Sequence, residues 1–320
     1  YTFYDQTSGI GAADFMMASK KGVLPTVNSV AMVFKHMMTN KRYTTLQVTD
    51  NTFVPPVVLD YPEDDPYVGM YKPIYDRPYP NIDANYPYVD DSPKNKRKIW
   101  FGYKIVLSLL TLFLFIKYGL RWTGRKNLKL HQDALKNGAI TVANHCYRHD
   151  CASVLAAIGA SHNTRIPMFA PNFRTKDQFY LQIVGGIPIP PEEEGMSAIK
   201  AFNAAFDEFH RRGYWFHIFP EAKRWDWYKP IRPFQKGAFS MAYKYNMPII
   251  PCVINYRPRT GIYRLFGSQN EPLTHVTIGE PIFPNTQLPR GNEVERLRQT
   301  THQTMCRMAG ITHNTWPATM

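Results

Sequence analysis

From about residue 125 onward the sequence alternates between two periodicities, and this alternation constrains the fold more than any other feature. "GAITVAN" (138–144), "YWFHIFP" (214–220) and "MPIIPCVINYR" (247–257) are short apolar runs of strand character, rich in β-branched or aromatic residues. Helical stretches follow or intervene. "DCASVLAAIGA" begins at 150, and "SAIKAFNAAFDEFHRRG" carries apolar residues at 198, 199, 202, 205, 206 and 209 on one face, with Gly213 as a stop. "GAFSMAYKYN" (237–246) reads as a helix, and "NEVERLRQTTHQTMCRMA" as a closing helix capped by Asn292. Strands alternating with helices imply an α/β class, a mainly parallel or mixed sheet flanked by helices, occupying 125–320.

Three stretches precede this domain. In 1–53, "TVNSVAMVFKHMM" suits a short helix and "RYTTLQVT" a short strand, and neither identifies a fold. Residues 54–93 repeat Pro, Tyr and Asp with no apolar period. Proline removes donors and blocks helix, so this stretch is expected to be an extended, largely unpacked linker, with tyrosines tacked onto a surface as the other reading. Together 1–93 is expected to be an appendage outside any site.

Residues 94–124 hold an uninterrupted apolar run, Ile105 to Ile116, flanked by Lys94, Lys96, Arg97 and Lys98 before and by Arg121, Arg125, Lys126 and Lys129 after. The run is shorter than the roughly 20 residues a simple span needs, and both flanks are basic. That pattern fits a helix lying in or dipping into the cytoplasmic membrane interface, with a buried core helix as the alternative. The formal net charge of +13 resides wholly in 100–320, because acidic and basic residues cancel in 1–99. Such a surface calls for an anionic partner: lipid head groups, phosphorylated substrates or nucleic acid. The four cysteines form no disulfide framework and suit a reduced setting.

"ANHCYRHDCASV" (143–154) places two histidines, two cysteines and an aspartate within seven positions. Three chemistries fit. His145, His149 and Asp150 offer metal-ligand types, although no His-Glu-x-x-His or Cys-x-x-Cys pattern accompanies them. Cys146 beside His145 offers a nucleophile and a base, although adjacent side chains generally point apart. In the third reading, His145 ends a strand at the carboxyl edge of the sheet. Asp150, starting the next helix, turns back to hold its Nδ1, leaving Nε2 as a general base.

Further blocks follow in order: "FPEAKR" (219–224), then "KPIRPFQKGAF" and the strand with Pro248 and Pro251. Together these resemble the glycerolipid acyltransferase family, which includes the 1-acylglycerol-3-phosphate acyltransferases. Asn144, His145 and Asp150 match its Asn-His-x4-Asp motif, and Phe219, Pro220, Glu221 and Arg224 match its Phe-Pro-Glu-Gly-Thr-Arg motif. "RWTGRKNL" (121–128) resembles the entry to its domain, and the likeness covers about 121–285. The resemblance implies transfer of an acyl group from acyl-CoA or acyl-carrier protein to a hydroxyl of a (lyso)glycerophosphate, with membrane lipids as partners, no nucleic acid, and neither cofactor nor metal. It implies that His145 and Asp150 are catalytic, and that Asn144, Gly186, Glu221, Lys223 and Arg224 bind substrate. The chain departs from the motifs at Ala222 and Lys223, where many members have Gly-Thr, and at Pro190 or Pro191, where the second motif has arginine. Lys229, Arg232 and Lys236 are expected either on a solvated basic rim or in contact with phosphates. A metal-dependent hydrolase using 145–151 and a non-catalytic lipid-binding protein are the competing classes.

Overall fold

The apolar runs become strands of a seven-stranded sheet in the computed structural model, which describes residues 52–71, 81–174, 178–265, 267, 268 and 270–320. The helix and strand expected within 26–49 lie outside the described residues. In chain order the elements are α1 (Pro93–Tyr118), β1 (Arg121–Thr123), α2 (Arg125–Leu130), α3 (Gln132–Leu135), β2 (Ile140–Ala143), α4 (Asp150–Ile158), β3 (Thr164–Phe169) and α5 (Gln178–Ile183). Then come β4 (Gly186–Ile189), α6 (Gly195–Arg211), β5 (Trp215–Ile218), α7 (Gly237–Tyr245), β6 (Ile249–Arg257), β7 (Leu273–Ile278) and α8 (Arg290–Met308). The strand order is β1-β7-β6-β2-β5-β3-β4. Neighbours are parallel except β6 and β7, which are antiparallel, so the sheet is mixed.

Two apolar layers sandwich the sheet. On one side α1 and α4 contribute Leu107, Leu114, Val154 and Leu155 against Ile250, Ile254 and Val276. On the other, α6, α7 and α8 contribute Phe202, Phe206, Phe239 and Leu297 against Ile140, Phe216 and Val253. A strand covered on both faces reads as a continuous apolar run, which is why β6 was legible. The closing helix starts before its expected cap: Pro289 precedes Arg290, and Asn292 lies inside the helix. A proline-fixed φ of −54° suits a helix start without a side-chain cap. β1 pairs with β7, so the sheet begins inside the stretch expected to be the membrane helix, 94–124.

α1 runs for 26 residues, long and apolar enough by length and composition to cross a membrane. One face is nonetheless packed on the domain through Ile99, Tyr103, Leu107, Leu110, Leu114 and Tyr118. A π-helical turn at Gly102–Val106 interrupts it. There a Cβ on Gly102 would stand 2.1 Å from the Ile183 carbonyl oxygen, so only glycine permits this approach. Tyr103 then donates its hydroxyl to the Val184 carbonyl at 2.6 Å. The opposite face exposes Trp100, Phe101, Ile105, Leu109 and Leu112.

The proline-rich stretch is extended, with no helix or strand in 52–71 or 81–92, but it is not unpacked. Phe53, Ile82 and Tyr88 are buried. The Phe53 N–H donates to Tyr256 O at 3.0 Å, and Arg212 forks onto Asp91 at 2.8 and 2.7 Å. Tyrosine has both apolar area to bury and a hydroxyl to satisfy, so these residues lie on the domain rather than away from it.

Candidate active site

β2 ends at Ala143, and the chain turns through Asn144–His149 into α4. The turn closes on one carboxylate. Asp150 Oδ2 accepts from the backbone N–H of Cys146 at 2.6 Å and of Tyr147 at 2.7 Å, and lies 3.2 Å from His145 Nδ1. Its Oδ1 accepts the Tyr256 hydroxyl. Asp150 is buried, whereas the His145 side chain keeps 19% of its surface open. The imidazole stacks on Phe219 with centroids 4.1 Å apart and planes 17° apart. Burial lowers its pKa below the ordinary value, partly offset by the hydrogen bond and charge of Asp150. A neutral imidazole with Nδ1 held is the form in which Nε2 accepts a proton.

Glu221, just past β5, belongs to a second pair in which both members are buried. Its Oε2 accepts from Arg232 Nη2 at 2.9 Å and from the His145 N–H at 3.4 Å, and its Oε1 accepts from the Arg232 N–H at 3.3 Å. Burial pushes its carboxyl upward and the Arg232 charge pulls it back. Arg232 is therefore not on a basic rim: it is fully buried, stacked over Trp225 at 4.4 Å, and donates to the Pro66 and Lys223 carbonyls. Lys229 and Lys236 are exposed. Glu221 holds Arg232, while Arg224 pairs with Asp226, Nε to Oδ1 at 2.8 Å. Lys223 lies over the Phe169 ring at 3.4 Å, and burial lowers its pKa.

Two expected substrate contacts are not assembled here. Asn144 is buried and uses its side-chain amide on β6, Nδ2 to Ile254 O at 3.0 Å and Oδ1 from Ile254 N at 2.8 Å. It fixes the turn rather than facing a ligand. Gly186 starts β4, level with Ile166 and, across β3 and β5, with Thr141 of β2. That places it four residues short of His145, about 13 Å along the strands, and three strands away. It lines a separate cavity of about 140 Å³ against 86–91 and α1.

The cysteine and metal readings meet different geometry. Burial drives the Cys146 thiol well above its ordinary value, and pushes Cys151 and Cys252 up to about 12. A buried thiol that holds its proton is a poor nucleophile. His149 is packed between Tyr118 and Tyr147, with ring centroids at 4.8 and 5.3 Å. Among the described residues no three His, Cys, Asp or Glu side chains converge as a metal site would need.

Sequence reading missed Tyr256, Arg232 and Asp226 as partners of the motif residues. Tyr256 carried a faint signal, because it falls at the carboxyl end of a central strand, where functional side chains gather. The Glu221–Arg232 pairing spans eleven residues of irregular loop and has no periodicity to reveal it.

The fold and turn define an α/β domain that presents a histidine, held at Nδ1 by a buried carboxylate, at the carboxyl edge of its sheet. Residues 120–255 match the family model described as Acyltransferase. Among solved structures the chain is similar to the crystal structure of the 1-acyl-sn-glycerophosphate (LPA) acyltransferase PlsC from Thermotoga maritima. The two are 19% identical over 70% of this chain and 85% of that one, with a TM-score of 0.43. No curated protein matches.

Proposed function

We propose that this chain moves a fatty acyl group from acyl-CoA or acyl-carrier protein to a hydroxyl of a (lyso)glycerophosphate, with 1-acylglycerol-3-phosphate as the first acceptor to test. The observation that carries this reading is the His145–Asp150 contact at 3.2 Å, which leaves Nε2 as the base at a half-open position. In the proposed step Nε2 takes the acceptor's hydroxyl proton while that oxygen attacks the thioester carbonyl. The tetrahedral adduct collapses, the C–S bond breaks, and the imidazolium returns the proton to the departing thiolate. No acyl-enzyme forms, so Cys146 and Cys151 are spectators. Arg224 offers its fork to the acceptor's phosphate, with Lys223 beside it, and Glu221 acts by holding Arg232.

α1 presents an apolar stripe on the face turned from the domain, and basic residues flank it. This arrangement suits membrane association, at the cytoplasmic face, by a helix lying in the interface. Acyl transfer from labelled acyl-CoA to 1-acylglycerol-3-phosphate is the test, with glycerol 3-phosphate in parallel. A loss of about 10² or more in His145→Ala is expected of a missing general base. Equal activity in wild type and variant would exclude His145 as the base.

A further inference from the structure

The loop 222–228 is held in an unfavourable conformation. Ala222 and Trp227 both adopt positive φ, 65° and 61°, a left-handed geometry that side-chain-bearing residues avoid and that persists only where the surroundings enforce it. From inside the domain, the Trp225 N–H donates to His145 O at 3.1 Å and the Trp227 N–H to Cys146 O at 2.9 Å, tying the loop to the His145 turn. From outside, it is held by the proline- and tyrosine-rich segment. Trp225 Nε1 donates to Val68 O at 2.7 Å, and Tyr61 stacks on the same indole at 5.8 Å. Tyr228 donates its hydroxyl to Glu63 at 3.1 Å, and Phe53 meets Trp227 edge-on at 5.2 Å.

The same segment reaches Arg224. Tyr61 donates its hydroxyl to the Asp226 backbone carbonyl at 2.8 Å, and Tyr71 donates to Asp226 Oδ2 at 3.4 Å. The other oxygen, Oδ1, faces Arg224 Nε at 2.8 Å, and the guanidinium lies 5.9 Å from the Tyr71 ring centroid. Nε and Oδ1 do not meet in hydrogen-bond geometry, so Asp226 draws the guanidinium to its side by charge at 2.8 Å and leaves the two Nη atoms as the fork that suits a phosphate. Those Nη atoms make no hydrogen bond among the described residues.

We propose that residues 61–71 form a working part of the acceptor site: Tyr61 and Tyr71 hold Asp226, and Asp226 aims the Arg224 fork at an anionic acceptor. Asp226 and Tyr71 are thus positioning residues that set affinity for a phosphate-bearing acceptor, acting through Arg224 rather than on the reacting atoms. The substrate side of this inference rests on the acyl-transfer reading above. The positioning of Arg224 does not.

The test uses the full chain with Tyr71→Phe, Asp226→Asn and Arg224→Ala, alone and combined, on 1-acylglycerol-3-phosphate and on phosphate-free monoacylglycerol. Loss of a charge-assisted contact should raise KM for the phosphate-bearing acceptor about tenfold in Asp226→Asn, and less in Tyr71→Phe. The kcat, the donor KM and the monoacylglycerol KM should hold within about threefold of wild type, and neither change should add to Arg224→Ala, as coupling through one residue requires. An unchanged acceptor KM, full additivity with Arg224→Ala, or a joint shift of kcat, both KM values and the unfolding midpoint overturns the proposal. A wild type that acylates neither acceptor overturns the acyl-transfer reading instead. Positioning is then judged by phenylglyoxal modification of Arg224, followed by mass spectrometry. Faster modification in Asp226→Asn and Tyr71→Phe supports the proposal, and equal rates overturn it.

Discussion

His145 and Asp150 are five residues apart in sequence and 3.2 Å apart in space because two backbone N–H groups of the intervening turn point at the same carboxylate. That redundancy makes the turn's members unequal. Tyr256→Phe removes one of four donors to Asp150 and should cost about 1–3 kcal/mol of stability, as loss of a buried partner to a charged group does. Its effect on rate should stay well below that of His145→Ala; denaturant unfolding and steady-state kinetics check the two halves. The acid behaviour also follows from individual histidines. Burial lowers His145, so the proposed base is neutral at pH 7, and the acid limb of kcat/KM should fall below 6.5, the ordinary histidine value. His217 is fully buried, hydrogen-bonded to Thr141 at 2.9 Å, and lowered to about 3. A histidine depressed in the folded state binds its proton more readily when unfolded. Its contribution to stability is therefore intact above about 6.5 and is lost as pH falls toward 3, at about 1.4 kcal/mol per pH unit. Denaturant midpoints at pH 7 and 4.5 should diverge more in the wild type than in His217→Gln.

At the scale of elements, legibility followed burial and period. β2, β5, β6 and α6 were readable because each carries an apolar run or a one-sided stripe long enough to show its period. β1 has three residues and intermediate burial, and β3 contains Arg165 and Pro167. β4 opens on a glycine, so local sequence did not mark any of these as strands. The Asn-His-x4-Asp turn could be read because its geometry is local. Partners delivered by distant segments, such as Tyr256, or by the tyrosine-rich strap, were set by tertiary packing that no local pattern encodes. Helix α1 shows the same division, since its apolar run was visible but the Gly102 contact with Ile183 was not. Gly102→Ala places a methyl where a carbonyl oxygen already sits. It should cost about 1–3 kcal/mol, the usual penalty of overpacking, and thermal unfolding of the purified chain measures it.

At the scale of the whole molecule, charge and apolar exposure are distributed together. The region 100–320 carries all of the net +13, and α1, at its leading edge, exposes Trp100, Phe101, Ile105, Leu109 and Leu112 on the face turned from the domain. Either feature alone gives weak attachment to a bilayer. Together they predict binding in two separable parts, an electrostatic part that depends on anionic lipid and salt, and an apolar part that does not. Leu109 is 56% exposed, so Leu109→Ser should leave the fold's stability within about 0.5 kcal/mol, as surface changes do. It removes a side chain worth about 1.5 kcal/mol or more on insertion, roughly a tenfold loss of vesicle affinity. Co-sedimentation with vesicles of neutral and anionic composition, at low and high salt, separates the parts. Salt should weaken wild type and Leu109→Ser by the same factor on anionic vesicles, whereas the variant should show its deficit on both lipid compositions. A Leu109→Ser chain that binds as the wild type does would mean that this stripe stays out of the bilayer and that charge alone brings the domain to its lipid.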